Sequence, residues 1–293
     1  MTLLTRPDGS RPEDFHLSRR GLVGATFFSG YAVAALAADA EPIHTDEQGL
    51  KTETVMIPSP DRPLPAYLAR PDAPGRHPAV IVASEIFGVH DYIKDICRRL
   101  AKLGYVAIAP AFFIRTADPA PLSDMGAIMK IVAAASDKQV MGDVGAAIKF
   151  LQGAPYADAG HMAITGFCWG GKVVWNACET FPELKAGAAW YGHMAPAKDS
   201  LPDLSRIWPL EHVADLKAPV LGLYGGLDKG IPTEEIQAMR KALEVNHKQG
   251  SLMIVYPDAQ HGFHADYRAS YNAADAKDAW DRMLAHFKKN GVG

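Results

Sequence analysis

The segment GFCWGG at residues 166–171 decides the fold of this 293-residue chain. It follows HMAITGF (161–167), an apolar run typical of a buried strand, and it opens a stretch with helical periodicity. A tight turn between a strand and a helix leaves no room for side chains at Gly166 and Gly170. Such a turn exposes Cys168 at the amino end of a helix, where the helix dipole favours a thiolate. The alternative is a structural cysteine buried beside the turn.

Short apolar runs alternate with helical patterns on both sides of this segment. Strands are predicted at 52–57, 65–69, 78–88 (leading into a loop), 105–113, 161–167, 186–192, 218–226 and 251–257. Helices are predicted at 91–103, 137–152, 169–181, 233–246 and 272–289. This alternation indicates an α/β fold with a mostly parallel sheet and helices on both faces. The first two strands flank the turn SPDRP and predict an antiparallel hairpin.

Composition excludes several classes of protein. The chain is 48% hydrophobic and 22% charged, with a net charge of −3, which excludes a disordered chain. It lacks a basic run for a nucleic-acid partner. The cysteines Cys97, Cys168 and Cys178 are too few for a disulfide scaffold, and their spacing does not indicate a zinc site. Cys97 and Cys178 lie on apolar helix faces and are expected in the core. We expect no metal or organic cofactor.

The first forty residues differ from the rest. A polar stretch ends in Arg19 and Arg20, an uncharged apolar run covers 21–38, and small-residue cleavage patterns follow. This order predicts a secretory signal of the twin-arginine type over 1–40, and a periplasmic or exported protein. An uncleaved anchor and a cytoplasmic chain are the alternatives, although the run is only weakly hydrophobic and no permanent membrane span is expected. Residues 41–293 then form a single domain.

Two further side chains suit a cysteine nucleophile, which needs a base and an orienting acid. Asp228 ends the segment YGGLD after one buried strand, and His261 follows the next strand in DAQHGF. The order Cys168, Asp228, His261 is that of a strand-turn-helix nucleophile followed by its acid and its base. Asp258 is a rival acid. The rival histidines are His90, His193, His212 and His264.

With these motifs the chain resembles the dienelactone hydrolases (carboxymethylenebutenolidases) of the α/β-hydrolase superfamily. The resemblance runs from about residue 50 to the C-terminus and is carried by ASEIFGVHDYIKDICRRLAKLGYVAIAP (83–110), GFCWGG (166–171), YGGLD (224–228) and AQHGFHADYR (259–268). It implies an α/β-hydrolase fold, a monomer, and a Cys-Asp-His triad made of Cys168, Asp228 and His261.

The resemblance also implies roles for the segment SEIFG. It makes Glu85 a modulating carboxylate that contacts the resting cysteine and helps to control its ionisation by like-charge repulsion. The backbone N–H groups of Ile86 and Trp169 then form the oxyanion hole. A solvated loop carboxylate is the alternative for Glu85.

Family members hold a substrate carboxylate with two arginines. Arg115 matches one of them, whereas Ala265 occupies the position of the other, and Arg268 follows three residues later. Either Arg268 replaces the missing arginine, or the natural ester lacks that carboxylate. Other candidates for the substrate pocket are Trp190, Tyr191, His193 and His264.

These expectations together predict a carboxylic ester hydrolase of the carboxymethylenebutenolidase type, which cleaves a small-molecule ester or lactone through a thioester acyl-enzyme. Peptidase activity is a weaker alternative, because a thiol in this geometry suits amides poorly. The alternative from another class is a non-catalytic ligand-binding protein on the same scaffold. A thiol redox role for Cys168 lacks a resolving cysteine nearby in sequence.

Overall fold

The computed structural model describes residues 42–196, 203 and 205–293. The predicted signal over 1–40 lies outside the described residues. Within the described ranges, no helix combines the length and the apolar character needed to cross a membrane.

Eight strands form one sheet in the order β1-β2-β4-β3-β5-β6-β7-β8. The strands are β1 (Leu50–Ile57), β2 (Leu64–Pro71), β3 (His77–Ala83), β4 (Val106–Pro110), β5 (Ala157–Phe167), β6 (Leu184–Trp190), β7 (Val220–Gly225) and β8 (Leu252–Tyr256). β1 pairs antiparallel with β2, and β2 pairs antiparallel with β4. The pairs from β4 through β8 are parallel. The predicted hairpin and the predicted mostly parallel sheet are therefore confirmed.

Helices cover the sheet. They are α1 (Asp91–Lys102), α2 (Met125–Ala134), α3 (Asp137–Gly153), α4 (Trp169–Thr180), α5 (Thr233–Val245) and α6 (Ala273–Lys289). Five of them were predicted, and α2 was missed. Its sequence MGAIMKIVAA carries Lys130 as its one charged residue, so it has no polar face from which a helical period can be read. Asp124 begins this helix by accepting a hydrogen bond from the Ala127 N–H at 2.6 Å.

The strand centres are apolar because helices pack on them. All residues of β4 and β7 are buried, and the same is true of the carboxyl halves of β3 and β5. This continuous apolar character is typical of parallel strands covered on both faces. Cys97 and Cys178 are fully buried in this core, as expected.

The parallel strands carry their following loops to one edge of the sheet. The segments that leave this edge contain Glu85 after β3, Arg115 after β4, Cys168 after β5, Asp228 after β7 and His261 after β8. Sites in parallel sheets form at this carboxyl edge.

Candidate active site

Cys168 lies in a strained turn between β5 and α4. Its φ is 55° and its ψ is −116°, a left-handed conformation that side chains other than glycine adopt at a cost of about 1–3 kcal/mol. The Cys168 N–H donates to the Trp190 carbonyl at 2.9 Å, and the Cys168 carbonyl accepts from the Gly171 N–H at 2.9 Å. The side chain is half-buried, whereas the other two cysteines are buried. The turn therefore presents this sulfur at the sheet edge.

The glycines of this turn are required by close backbone contacts. A Cβ at Gly166 would lie 2.3 Å from the Gly170 carbonyl oxygen, and one at Gly170 would lie 2.2 Å from the Ala83 carbonyl oxygen. Both distances are below the contact limit of carbon and oxygen. The second contact also shows that the turn packs directly on the end of β3, which brings Cys168 next to the segment that begins at Ser84.

Asp228 and His261 form a hydrogen-bonded pair. Oδ2 of Asp228 lies 2.7 Å from Nδ1 of His261, and Oδ1 of Asp228 accepts from the Gly230 and Ile231 N–H groups at 2.8 and 3.3 Å. Because a carboxylate only accepts hydrogen bonds, Nδ1 of His261 carries the proton and Nε2 is directed to other partners. The Asp228 carboxylate is almost completely buried, so this orientation is fixed by the fold.

His261 interacts with Cys168 on its other side. Burial alone would lower the pKa of His261, but the charge of Cys168 and the hydrogen bonds that the imidazole makes with Asp228 and Cys168 raise it to about 10. The Tyr191 ring lies edge-on to the imidazole, with ring centroids 5.1 Å apart. Tyr191 has a φ of 38°, a second strained backbone position next to the cysteine. The fold thus brings together the three side chains that the sequence selected.

Ile86 and Trp169, the predicted oxyanion donors, lie on the two backbone segments that meet here. Ile86 lies in the turn after β3, in which the Gly88 N–H donates to the Glu85 carbonyl at 3.2 Å. Trp169 is the first residue of α4, where a backbone N–H has no acceptor within its own helix. The contact between Gly170 and Ala83 places these two segments side by side.

Glu85 is fully buried and held by three side chains. Oε2 accepts a hydrogen bond from the Tyr267 hydroxyl at 2.5 Å and lies 3.4 Å from Nε2 of His90. Oε1 lies 3.5 Å from a guanidinium nitrogen of Arg268. Burial would raise the pKa of Glu85, but Arg268, His90 and Tyr267 outweigh it and lower it to about 2. Glu85 is therefore a buried, charged carboxylate and not a solvated loop residue.

Two of the partners of Glu85 were not selected from the sequence. Tyr267 lies next to Arg268 in a stretch that was quoted only for its resemblance, and His90 was considered only as a rival base. A tyrosine adjacent to an arginine gives no signal that its hydroxyl reaches a carboxylate 182 residues earlier in the chain, or that the arginine approaches the same group. Arg268 also donates from Nε to the Tyr267 hydroxyl at 3.2 Å and lies over the Phe87 ring.

Arg115 is held by two carboxylates. Its guanidinium donates to both oxygens of Asp61 at 2.6 Å, and to the oxygens of Asp143 at 2.7 and 2.8 Å. Phe113, two residues earlier, lies against the Trp169 ring with centroids 4.7 Å apart. Arg115 thus belongs to the loop that borders the cysteine turn.

The structure places Trp190 and His264 in the aromatic core beneath the site. The Trp190 Nε1 donates to Thr165 Oγ1 at 3.0 Å, and Nδ1 of His264 lies 2.6 Å from the Tyr92 hydroxyl. Burial lowers the pKa of His264 to about 3, so this ring is neutral. His193, in contrast, is 46% exposed at the rim of the site.

No group of three or more histidine, cysteine or acidic side chains suited to a metal ion occurs within 42–196, 203 and 205–293.

Comparisons with known proteins identify relatives over most of the chain. The model of the "Dienelactone hydrolase family" matches residues 64–291. A "Putative carboxymethylenebutenolidase" of Methylorubrum extorquens is 44% identical over 278 residues, which cover 94% of each chain. A "Probable 2-oxo-3-(5-oxofuran-2-ylidene)propanoate lactonase" of Bradyrhizobium is 33% identical over 223 residues, 76% of this chain and 88% of that one. The crystal structure of a "Putative Dienelactone Hydrolase" from Klebsiella pneumoniae superposes with a TM-score of 0.77 at 44% identity, over 82% of this chain and 99% of that chain.

Proposed function

This chain belongs to the dienelactone hydrolase family, and we propose that it hydrolyses carboxylic esters or lactones by covalent catalysis at Cys168. The observation that carries the proposal is the arrangement of Cys168, His261 and Asp228: a strained, half-buried cysteine interacts with a histidine whose other nitrogen is fixed by a buried carboxylate. A nucleophile, a base and an orienting acid are the groups that covalent acyl transfer needs.

In the first step, the proton of the Cys168 thiol passes to His261, and the resulting thiolate attacks the carbonyl carbon of the ester to form a tetrahedral intermediate. The backbone N–H groups of Ile86 and Trp169 stabilise the negative oxygen of this intermediate. The bond between the carbonyl carbon and the leaving oxygen then breaks, and the His261 imidazolium gives its proton to that oxygen. The products are a thioester on Cys168 and a free alcohol, or one ring-opened molecule in the case of a lactone.

In the second step, water releases the acyl group. Neutral His261 takes a proton from the water molecule as its oxygen attacks the thioester carbonyl. The C–S bond breaks, the carboxylic acid leaves, and the thiolate–imidazolium pair of Cys168 and His261 is restored. Asp228 stabilises the protonated imidazole in both steps and keeps its ring orientation.

Glu85 has a modulating role in this proposal. It is a charged carboxylate in the segment that packs on the cysteine turn, and Tyr267, His90 and Arg268 control its position. A negative charge at this place opposes a thiolate by like-charge repulsion, so the balance between Glu85 and Arg268 sets how reactive the resting sulfur is.

The test is hydrolysis of short-chain aryl esters and a dienelactone by the wild type, Cys168→Ala and Cys178→Ala. We expect Cys168→Ala to lose at least about 10³-fold in kcat, and rapid-quench mass spectrometry of the wild type to find one acyl group on Cys168. Cys178→Ala is the matched control, because this thiol is buried in α4, and should keep turnover.

Two outcomes would contradict the proposal. Wild-type turnover by Cys168→Ala would exclude the covalent mechanism. If the wild type neither turns over these substrates nor forms an acyl-enzyme, the binding-protein alternative replaces the hydrolase.

A further inference from the structure

We propose that Arg99 is a positioning residue of the cysteine site: it pairs with Asp266 and thereby holds the loop that brings Tyr267 to Glu85. This inference rests on the proposed roles of Cys168 and Glu85 and extends them to helix α1. It is carried by three observations: the ion pair that anchors the loop, the network that fixes Arg99, and a second contact between α1 and the same loop.

The loop after β8, residues 257–272, is anchored on two sides. On one side, His261 interacts with Cys168, and the Tyr267 hydroxyl donates to Glu85 at 2.5 Å. On the other side, Asp266 is buried and its Oδ2 accepts a hydrogen bond from Nη2 of Arg99. Asp266 therefore joins the loop to α1 at the residue directly before the one that holds Glu85.

Arg99 is itself fixed by a buried network on α1. Its Nε donates to Oδ2 of Asp95 at 2.6 Å, so one guanidinium bridges two carboxylates. Asp95 is almost completely buried, and its Oδ1 accepts from the Thr45 N–H at 2.6 Å and from Nη2 of Arg98 at 3.0 Å. The planar, forked guanidinium suits such bridging, whereas a lysine ammonium is a point charge on a flexible stem.

Helix α1 contacts the same loop at a second point. The Tyr92 hydroxyl lies 2.6 Å from Nδ1 of His264, and the Tyr92 ring lies edge-on to Tyr267 with centroids 5.3 Å apart. His90, the residue before α1, lies 3.4 Å from the Glu85 carboxylate. One helix thus positions two partners of Glu85, His90 directly and Tyr267 through the loop.

The ion pair with Arg99 balances a buried charge in this loop. Burial raises the pKa of Asp266, Arg99 opposes this shift, and the negative charges of Asp95 and Glu85 add to it. If Arg99 no longer reached Asp266, the carboxylate would be buried without its counter-ion. The loop would then leave its position, and Tyr267 would no longer hold Glu85.

The consequence for the sulfur has one sign. The titratable groups around Cys168 come from three segments: Glu85 after β3, Tyr191 after β6, and His261 and Arg268 after β8. Glu85 opposes a thiolate, whereas His261 and Arg268 favour it by opposite charge. A displaced loop weakens the second pair and leaves Glu85 less neutralised, so the thiolate would form only at higher pH.

The test is the rate of alkylation of Cys168 by iodoacetamide as a function of pH, measured on the full chain. The reagent is uncharged, and peptide mass spectrometry assigns the label to Cys168. For Arg99→Lys we expect the pH of half-maximal rate to rise by at least about 0.5 relative to wild type, because the substituted side chain keeps its charge but cannot bridge Asp95 and Asp266.

Arg98→Lys is the matched control. It is the same substitution one residue earlier, and Arg98 shares the partner Asp95 but makes its other hydrogen bonds to Thr45 and Tyr67. Asp95 keeps Arg99 and the Thr45 N–H as partners in this variant. We therefore expect the wild-type pH profile.

Tyr267→Phe tests the route from Arg99 to Glu85. It removes the hydroxyl that donates to Glu85 and leaves the pair of Arg99 and Asp266 in place. If both substitutions act on the same contact, the shifts of Arg99→Lys and Tyr267→Phe should be less than additive in the double variant. Additive shifts would overturn the route through Tyr267, and with it the proposal.

A second double variant, Arg99→Gln with Asp266→Asn, decides the matter if Arg99→Lys does not fold. It removes the ion pair as a unit, so no unpaired Asp266 charge is left in the core, and circular dichroism checks the fold. We expect the same upward shift. A wild-type profile in a folded variant that lacks the pair, or an equal shift in Arg98→Lys, would overturn the proposal.

Alkylation also separates this inference from the proposed function, because it requires a reactive thiol but no ester hydrolysis. If wild-type protein is alkylated at Cys168 and hydrolyses no ester, the proposed function fails. The alkylation profiles of the variants then still decide the role of Arg99.

Discussion

The Asp228 carboxylate accepts a 2.7 Å hydrogen bond from Nδ1 of His261, while its second oxygen is held by two backbone N–H groups of its own turn. The carboxylate therefore cannot rotate away without breaking three hydrogen bonds. This arrangement fixes which nitrogen of His261 faces Cys168.

The pair leads to a prediction for Asp228→Asn. An amide can donate to Nδ1, which favours the wrong tautomer of His261, so we expect kcat to fall by about 10³–10⁴-fold with little change in the fold. Steady-state kinetics and circular dichroism are the measurements. Asp258→Asn is the matched control, since Asp258 is the exposed rival acid three residues before His261. If Asp258→Asn were the more damaging change, the acid of the triad would be misassigned.

Substitution of a glycine in the cysteine turn and of a glycine on an exposed helix should have opposite effects on stability. Gly170→Ala places a methyl group 2.2 Å from the Ala83 carbonyl oxygen, so we expect a loss of about 2–3 kcal/mol in the free energy of unfolding, or no folded protein. Gly142→Ala lies at an exposed position of α3 with open space around it and should stabilise by about 0.5–1 kcal/mol. Urea denaturation measures both. Equal stabilities of the two variants would contradict the packing described for the turn.

Glu85 predicts a stability difference that depends on pH. Glu85→Gln leaves the buried Arg268 without its counter-ion, and we expect a loss of about 3–5 kcal/mol at pH 7. The pKa of Glu85 is lowered from 4.5 to about 2, so its stabilisation is complete above pH 4.5 and is lost as the pH falls through 2. The gap in melting temperature between wild type and variant should therefore shrink below pH 4.5. Glu53→Gln, on the exposed edge strand β1, is the control and should show no gap.

The stability contribution of Glu179 is predicted to depend on pH in the opposite direction from that of Glu85. This carboxyl group is buried near the end of α4, where neither oxygen has a hydrogen-bond partner among the described residues. Burial, with Asp215 nearby, raises its pKa from 4.5 to about 9. The folded state keeps a proton that the unfolded state releases, so the stability contribution is present below pH 4.5 and declines as the pH rises towards 9.

The substitution Glu179→Gln should remove the loss of stability that Glu179 causes as the pH rises. Glutamine has the same shape and stays neutral, so we expect the variant to be more stable than wild type by on the order of 2 kcal/mol at pH 8, with no difference at pH 4. Denaturant titrations at both pH values measure the effect. Glu183→Gln, at a half-exposed site four residues later, serves as control. If the stability difference between Glu179→Gln and wild type is the same at pH 8 and at pH 4, Glu179 is already ionised in the folded protein at pH 8 and its pKa is not raised.

The elements that the sequence predicted are those with strong local signals. The runs that became β3, β5 and β7 are apolar and end in turn residues, and the spacing of glycines around Cys168 is explained by contacts within a few residues of the turn and at Ala83. Because parallel strands end at one edge, the approach of Asp228 and His261 also followed from chain order.

The contacts that the sequence did not reveal join residues far apart in the chain. Arg115 was a candidate for substrate binding. The sequence around it does not indicate that it pairs with Asp61 and Asp143, which lie 54 and 28 residues away. Arg268 was one candidate for a second substrate-binding arginine, and its guanidinium lies 3.5 Å from the Glu85 carboxylate, which the sequence did not indicate. Such ion pairs depend on how loops from different strands pack together at the edge of the sheet. Local hydrophobic periodicity carries no information about that packing.

The unequal environments of the three cysteines have a practical consequence. Cys97 and Cys178 are enclosed in the core, and burial raises the pKa of both thiols, whereas the Cys168 side chain reaches the surface. A water-soluble alkylating reagent should therefore modify native protein once per molecule. Titration of the folded protein with such a reagent should reach an end point of one equivalent. The amount consumed then counts the molecules that have an accessible Cys168, without knowledge of the natural substrate.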